Sequence, residues 1–205
     1  MFRGFFVLIF DFLKSLLFST GPRDRIYKYV RPHLNTEQKI LNVGCGDGIL
    51  SELIRFDFPG ISIHDIDVVD LRSNKQSQHF HLFDGYHLSK YANETFDVIL
   101  IIYVLHHVRS REILLEEAMR VGKKIILIED ILNEPNGTCL DRFFTFTHRI
   151  WAKWICHDQN AYVEFWTKSK WFSILLKYRN SLHYEDIPEK KWYHYVNHGL
   201  FLCQN

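Results

Sequence analysis

The feature that most constrains this chain is a glycine-rich turn between an apolar segment and the start of a helical pattern. Residues 40–48 read ILNVGCGDG, with glycine at three alternate positions. Glycine adopts positive φ angles without strain and has no Cβ, so such a turn lets a ligand lie against backbone N–H groups at a helix N-terminus. A dinucleotide fingerprint, G-x-G-x-x-G, would need its third glycine where Ile49 stands. The turn therefore predicts an α/β ligand site of another kind.

Strand and helix patterns alternate on both sides of this turn. Apolar runs predict strands at 39–43, 61–66, 79–82, 96–102 and 123–129, and amphipathic patterns predict helices at 23–34, 47–58 and 109–121. Such alternation indicates a parallel sheet with right-handed crossovers. Further helices are predicted at 140–155 and 168–178, and two last strands, antiparallel at the sheet edge, at 182–187 and 199–203. A ligand is expected at the carboxyl ends of the first, second and fourth strands.

An acid follows the second predicted strand. Asp67 lies about 20 residues beyond the glycine turn, where an α/β nucleotide site places a carboxylate that accepts from both ribose hydroxyls. The alternatives are a solvated strand end or a cap for the segment that follows. The ligand role is the preferred interpretation, because the acid and the turn would lie at the same edge of the sheet.

Taken in order, these segments resemble a known enzyme family. The matching elements are LNVGCGDG, the second acid of HDID, FDG at 83–85, ETFDVIL at 94–100 and VLHHV at 104–108. Together they resemble the class I S-adenosylmethionine (SAM)-dependent methyltransferases, in the small-molecule group that includes the quinone-biosynthesis C-methyltransferases. The resemblance covers about residues 25–130. It implies a Rossmann-like methyltransferase fold, α/β, with a mostly parallel seven-stranded sheet flanked by helices.

The resemblance also assigns residues to the cofactor. They are Asn42, Gly44, Cys45, Gly46, Asp67, Asp84, Gly85 and Ile102. The glycine turn would lie under the methionine part of SAM, Asp67 would bind the ribose hydroxyls, and Asp84 would accept from the adenine amino group. Ile102 would lie next to the reactive methyl. Asn42 stands where many relatives have an acid, so the charge that favours the ammonium group of SAM is missing.

Residues just past the fourth predicted strand are candidates for the chemistry. Methyl transfer from a sulfonium is an in-line displacement that needs aligned reactants and often removal of a proton from the acceptor. His106 and His107 are candidate general bases, with packing in the turn as the alternative for one of them, and Tyr103 could orient an acceptor. His157 and Tyr162 are more remote candidates. Sequence spacing predicts no metal site, so a mechanism with bound magnesium is not expected.

The first 20 residues form a separate segment. They are mostly large apolar residues, with Arg3, Asp11 and Lys14 on one narrow face, a pattern that predicts an amphipathic helix. The segment is short for a membrane span and is interrupted by Asp11, and no small-residue cleavage site of a signal peptide follows it. Three alternatives remain: a lid on the catalytic domain, an in-plane membrane anchor, or a dimer contact.

The rest of the chain, 21–205, is predicted to be one methyltransferase domain, with 131–171 as a substrate-covering region. The part from 131 onward holds all five tryptophans. Such aromatic residues are typical of core packing, or of a pocket for a small, apolar or lipid-like acceptor.

Charge and cysteine usage restrict partners and location. A net charge of +1 gives no general attraction to nucleic acid, and no N-P-P-Y motif follows the fourth strand. Four cysteines without a C-x-x-C pair favour a cytoplasmic protein, associated with membranes if the first segment is an anchor. The leading interpretation is SAM-dependent methyl transfer to a small-molecule acceptor. The alternative is a catalytically silent SAM-binding scaffold or partner subunit.

Overall fold

The fold is built around an eight-stranded, mostly parallel sheet. The computed structural model describes residues 21–72, 75, 79–133, 139–155, 162–178, 181–188 and 197–204. The predicted helix in residues 1–20 and the candidate His157 lie outside these ranges.

The strands and helices follow the predicted order along the chain. The strands are β1 (Lys39–Val43), β2 (Ser62–Asp67), β3 (Phe80–Leu82), β4 (Phe96–Ile102), β5 (Gly122–Leu132), β6 (Trp166–Thr167), β7 (Ser181–Ile187) and β8 (Asn197–Gln204). The helices are α1 (Gly21–Val30), α2 (Ile49–Asp57), α3 (Arg111–Val121), α4 (Cys139–Ile155) and α5 (Lys168–Leu175). Short 3-10 turns lie at Arg31–His33 and Leu105–His107.

The strand order is β3-β2-β1-β4-β5-β8-β7, and the short β6 pairs with the end of β5. Strands β1 to β5 run parallel, whereas β8 is antiparallel to both β5 and β7. The order reverses between β1 and β4, which is where open α/β sheets bind ligands. The predicted Rossmann-like fold is confirmed, and β6 raises the strand count to eight.

Helices cover both faces of the sheet. Ile99 and Ile101 of β4 belong to the apolar cluster that contains α3 and α5, and Val98 and Leu100 to the cluster that contains α1 and α2. All four are fully buried, and each such side chain stabilises the fold by about 1.5–3 kcal/mol. Two-sided burial explains why β4 is a continuous apolar run. None of the helices in the described ranges is long and apolar enough to span a bilayer.

Candidate active site

The glycine turn after β1 is held against β2 and against the residues that follow β4. The backbone N–H groups of Gly44 and Cys45 donate to the Ile66 carbonyl at 2.8 and 3.1 Å. A Cβ at Gly44 would lie 2.4 Å from Cγ2 of Val104, whereas a Cβ at Gly46 would meet no atom within 4 Å. Both glycines have positive φ, 70° and 56°. Gly44 therefore allows close packing, and Gly46 leaves open space over the backbone.

Asp67, at the end of β2, is joined to this turn. One carboxylate oxygen accepts from Gly46 N at 2.8 Å and the other from Val68 N at 2.7 Å. The side chain is nearly buried, and burial raises its pKa. Oδ1 also accepts from Val69 N at 3.5 Å. A carboxylate has about four lone-pair positions, so Oδ2, which accepts from Gly46 N alone, can accept one more hydrogen bond. The open space at Gly46 and this spare acceptor capacity fit the ribose and methionine parts of an adenosyl cofactor.

Asn42 lies behind the turn in a buried polar cluster between β1, β2 and α2. Its amide nitrogen donates to Ser51 Oγ at 2.9 Å and to Asp65 Oδ1 at 3.2 Å. Asp65 also forms an ion pair with Arg55 at 2.8 Å. The amide of Asn42 thus neutralises no charge and instead joins the first two strands to α2. Its predicted contact with the cofactor stays a prediction.

Asp84 lies in the turn after β3 and is exposed. Its carboxylate accepts from the backbone N–H groups of His87 and Tyr86, both at 2.8 Å, and lies 2.6 Å from His87 Nδ1. The bonds from His87 and Tyr86 lower the pKa of Asp84 to about 2. Gly85 beside it has a φ of 89°.

A cavity of about 250 Å³ adjoins this turn. Its lining residues are Ile66, Leu82, Phe83, Asp84, His87, Leu88, Ser89 and Lys90. Pockets that enclose a whole ligand measure roughly 300–1,000 Å³. The cavity therefore suits one part of a ligand, such as a single ring system.

The chain turns sharply at the end of β4. Ile102 is the last, partly buried strand residue, and Tyr103 follows it with a φ of 56°. Tyr103 N donates to the Ile128 carbonyl at 2.8 Å, and the tyrosine ring lies 5.3 Å from the ring of His198. A non-glycine residue at positive φ is uncommon. Here it directs the chain from the sheet into the 3-10 turn that carries His106 and His107.

Glu129 of β5 holds that turn. It is fully buried, and one carboxylate oxygen accepts from Val104 N at 3.0 Å and Leu105 N at 2.6 Å. The other oxygen lies 2.7 Å from His106 Nδ1. Glu129 belongs to none of the sequence motifs. The available signal was an acid near the end of an otherwise apolar central strand.

Three histidines meet beside this turn. His148 reaches His106 and His107 from α4, and the Nε2 atoms of His148 and His107 are 3.3 Å apart. The His106 ring lies 4.1 Å from the His107 ring and 5.1 Å from the His148 ring. Sequence analysis did not single out His148, because helix and turn come together only in the folded chain.

The three histidines differ in protonation. Burial lowers the pKa of His107 to about 2 and that of His148 to about 4. Burial also disfavours the charged form of His106, but the Glu129 carboxylate outweighs it and the pKa of His106 is raised. A group with a pKa far below neutrality removes protons poorly. This argues against the predicted role of His107 as general base.

Residues 162–167 lie across the histidines. Glu164 N donates to the His106 carbonyl at 2.9 Å, and the buried Arg111 donates to the carbonyl and carboxylate of Glu164 at 3.0 and 2.9 Å. The Tyr162 carbonyl lies 3.4 Å from His107 Nδ1, while the Tyr162 hydroxyl contacts the Glu164 carboxylate. The backbone of Tyr162 approaches the cluster, and its hydroxyl is bound elsewhere.

Comparison with known proteins agrees with this geometry. A family model described as a methyltransferase domain matches residues 41–125. No protein among the curated sequences matches the chain. Several solved structures share the fold at low sequence identity.

One is a SAM-dependent methyltransferase from Archaeoglobus fulgidus, with a TM-score of 0.69 and 11% identity over 96% of this chain and 99% of the other. The [4+2]-cyclase SpnF gives a TM-score of 0.67 and 15% identity over 89% and 81%. A phosphoethanolamine N-methyltransferase from Haemonchus contortus, solved with S-adenosylhomocysteine, gives a TM-score of 0.63 and 11% identity over 84% of this chain and 49% of the other. The family match covers residues 41–125 of this chain, and the strand order of its sheet is that of the Rossmann-like fold found in these methyltransferase structures.

Proposed function

We propose that this protein transfers a methyl group from SAM to a small, apolar or lipid-like acceptor. The observation that carries the proposal is the space over Gly46 beside the Asp67 carboxylate, at the point where the strand order reverses. When bound, SAM supplies an electrophilic methyl group. The residues of the chain then have to hold the adenosyl part, orient the acceptor and exclude water.

Asp67 is the proposed ribose ligand. Its two oxygens are fixed by Gly46 N and Val68 N, so they are already oriented before a ligand arrives. Burial raises the pKa of Asp67, and its backbone N–H partners offset only part of that effect. Further hydrogen-bond donors would therefore stabilise the carboxylate. Two ribose hydroxyls would supply them.

Asp84 and the adjoining cavity are the proposed adenine site. The carboxylate is held in place by its own turn, and apolar residues of β2 and β3 line the cavity beside it. A flat aromatic base would bury its faces against those side chains and direct its amino group to the acid.

The proposal of an apolar acceptor rests on α4. Phe143, Phe146 and Ile150 recur at helical spacing and are 65%, 60% and 45% exposed. His148 reaches the turn after β4 from the opposite face of the same helix. A lipid surface that covers the three exposed side chains would remove their area from water while His148 faces the site.

Calorimetric titration of the full chain with SAM and with S-adenosylhomocysteine tests the cofactor site. Asp67→Ala should weaken binding at least about 100-fold, because it removes two hydrogen bonds to a charged group, which contribute about 1.5–3 kcal/mol each. Glu185→Ala, an exposed acid of β7, is the matched control and should bind as the unaltered chain does. Equal affinity in the two variants would show that Asp67 does not bind the ribose.

Incubation with methyl-labelled SAM and fractionated acceptor pools, lipid extracts included, tests transfer. Label should move into an organic-soluble product. Cofactor binding without transfer to any pool would instead support a silent SAM-binding subunit.

A further inference from the structure

The histidine cluster has the geometry of a metal site. The three candidate ligand nitrogens, one from each of His106, His107 and His148, lie within 4.8 Å of one another. Zinc–nitrogen bonds of about 2.0–2.1 Å at tetrahedral angles place ligand nitrogens roughly 3.3–3.4 Å apart. The Nε2 atoms of His107 and His148 are already separated by 3.3 Å. We propose that His106, His107 and His148 bind one transition-metal ion, such as Zn²⁺.

A second observation comes from His106. Its Nε2 atom is buried and has no hydrogen-bond partner among the residues that the structure describes. A buried nitrogen without a hydrogen-bond partner destabilises the folded state. Since Nδ1 is used by Glu129, Nε2 is the atom available to a ligand, and an ion held by the other two histidines would satisfy it.

The surroundings match those of metal-binding histidines, whose second ring nitrogen almost always bonds a carboxylate or a carbonyl. His106 Nδ1 faces the Glu129 carboxylate at 2.7 Å, and His107 Nδ1 faces the Tyr162 carbonyl at 3.4 Å.

The ligand type restricts the ion. Imidazole nitrogens favour zinc, copper, iron or nickel, whereas magnesium and calcium prefer oxygen. Three protein ligands leave a fourth position for water or a substrate atom, as in catalytic zinc sites. The site lies two residues beyond Val104, which contacts the glycine turn. A metal-bound acceptor would thus lie beside the cofactor turn.

Metal binding can be measured without SAM, so this test is independent of methyl transfer. Full-length protein without a histidine tag is stripped with a chelator and titrated with Co²⁺, which gives a visible absorption band in a tetrahedral site, and then with competing Zn²⁺. One ion per chain is expected. His148→Ala should weaken Zn²⁺ binding at least about 100-fold, because it removes one of three ligands. His183→Ala, an exposed histidine of β7, should bind as the unaltered chain does.

Glu129→Gln tests the outer carboxylate and should lower Zn²⁺ affinity about 10- to 100-fold. Circular dichroism on each variant shows that the fold is kept. The proposal is overturned if the folded, stripped chain takes up no Co²⁺ or Zn²⁺, or if His148→Ala binds Zn²⁺ as tightly as His183→Ala.

Discussion

Gly44 and Gly46 share a backbone conformation and differ in their surroundings, so alanine at each position separates backbone strain from steric collision. An alanine in the left-handed region costs about 1–2 kcal/mol at either site. At Gly44 the added Cβ would lie 2.4 Å from Cγ2 of Val104, whereas carbons in contact lie about 3.5–4.0 Å apart. Relief of that overlap adds about 1–3 kcal/mol. We expect Gly44→Ala to lose about 2–5 kcal/mol of folding free energy and Gly46→Ala about 1–2 kcal/mol.

Urea unfolding with linear extrapolation measures both losses. Adding Val104→Ala to Gly44→Ala makes room for the new methyl group, so the double-mutant cycle should show a favourable coupling of at least about 1 kcal/mol. Gly46→Ala should also weaken SAM binding, although it loses little folding free energy, because its methyl group occupies the open space over the backbone where the cofactor would lie. Equal stability losses at both positions, together with zero coupling, would refute the reasoning.

Two further predictions concern buried and exposed acids. Glu129→Ala leaves two backbone amides and one imidazole without their acceptor, so it should cost about 3–9 kcal/mol at roughly 1–3 kcal/mol per buried group. Glu129→Gln keeps an oxygen that accepts from the backbone amides, so its free energy of unfolding, measured in urea, should fall markedly less. Equal losses in the two variants would contradict this. The native fold lowers the pKa of Asp84 from 3.8 to about 2, so its stabilising contribution is present above pH 4 and is lost as pH falls toward 2. Asp84→Asn should remove that pH dependence from the free energy of unfolding. The effect should be less than about 1 kcal/mol, because the carboxylate is half exposed. Identical plots of stability against pH for the two proteins would contradict this prediction.

Much of the sheet could be predicted because its central strands are buried on both faces. β4 is predicted and found at Phe96–Ile102, since a continuous apolar run allows little else. β5 is longer than the predicted 123–129 and runs from Gly122 to Leu132, because the strand continues past the two acids Glu129 and Asp130. Their partners are the turn after β4 and His198, and no strand pattern reveals such long-range pairing.

The sequence pattern also predicted that Gly46 and Asp67 lie close together, and the backbone nitrogen of Gly46 is 2.8 Å from a carboxylate oxygen of Asp67. Both follow parallel strands, so the topology alone brings them to one edge of the sheet. The partners of Asn42 and the approach of His148 could not be predicted in this way. They depend on how α2 and α4 pack, and side-chain packing is decided by the whole core.

The antiparallel insertion of β8 next to β5 affects how the nascent chain can fold. β5 pairs with β8 through eight residue positions, from Lys124 to Ile131. About 65 residues of the chain lie between the two strands and have to be synthesised before β8. At about 5–20 residues per second, a ribosome needs several seconds to supply the missing neighbour. During that interval the edge of β5 that later pairs with β8 has unpaired backbone groups, which expose it to mispairing with other chains.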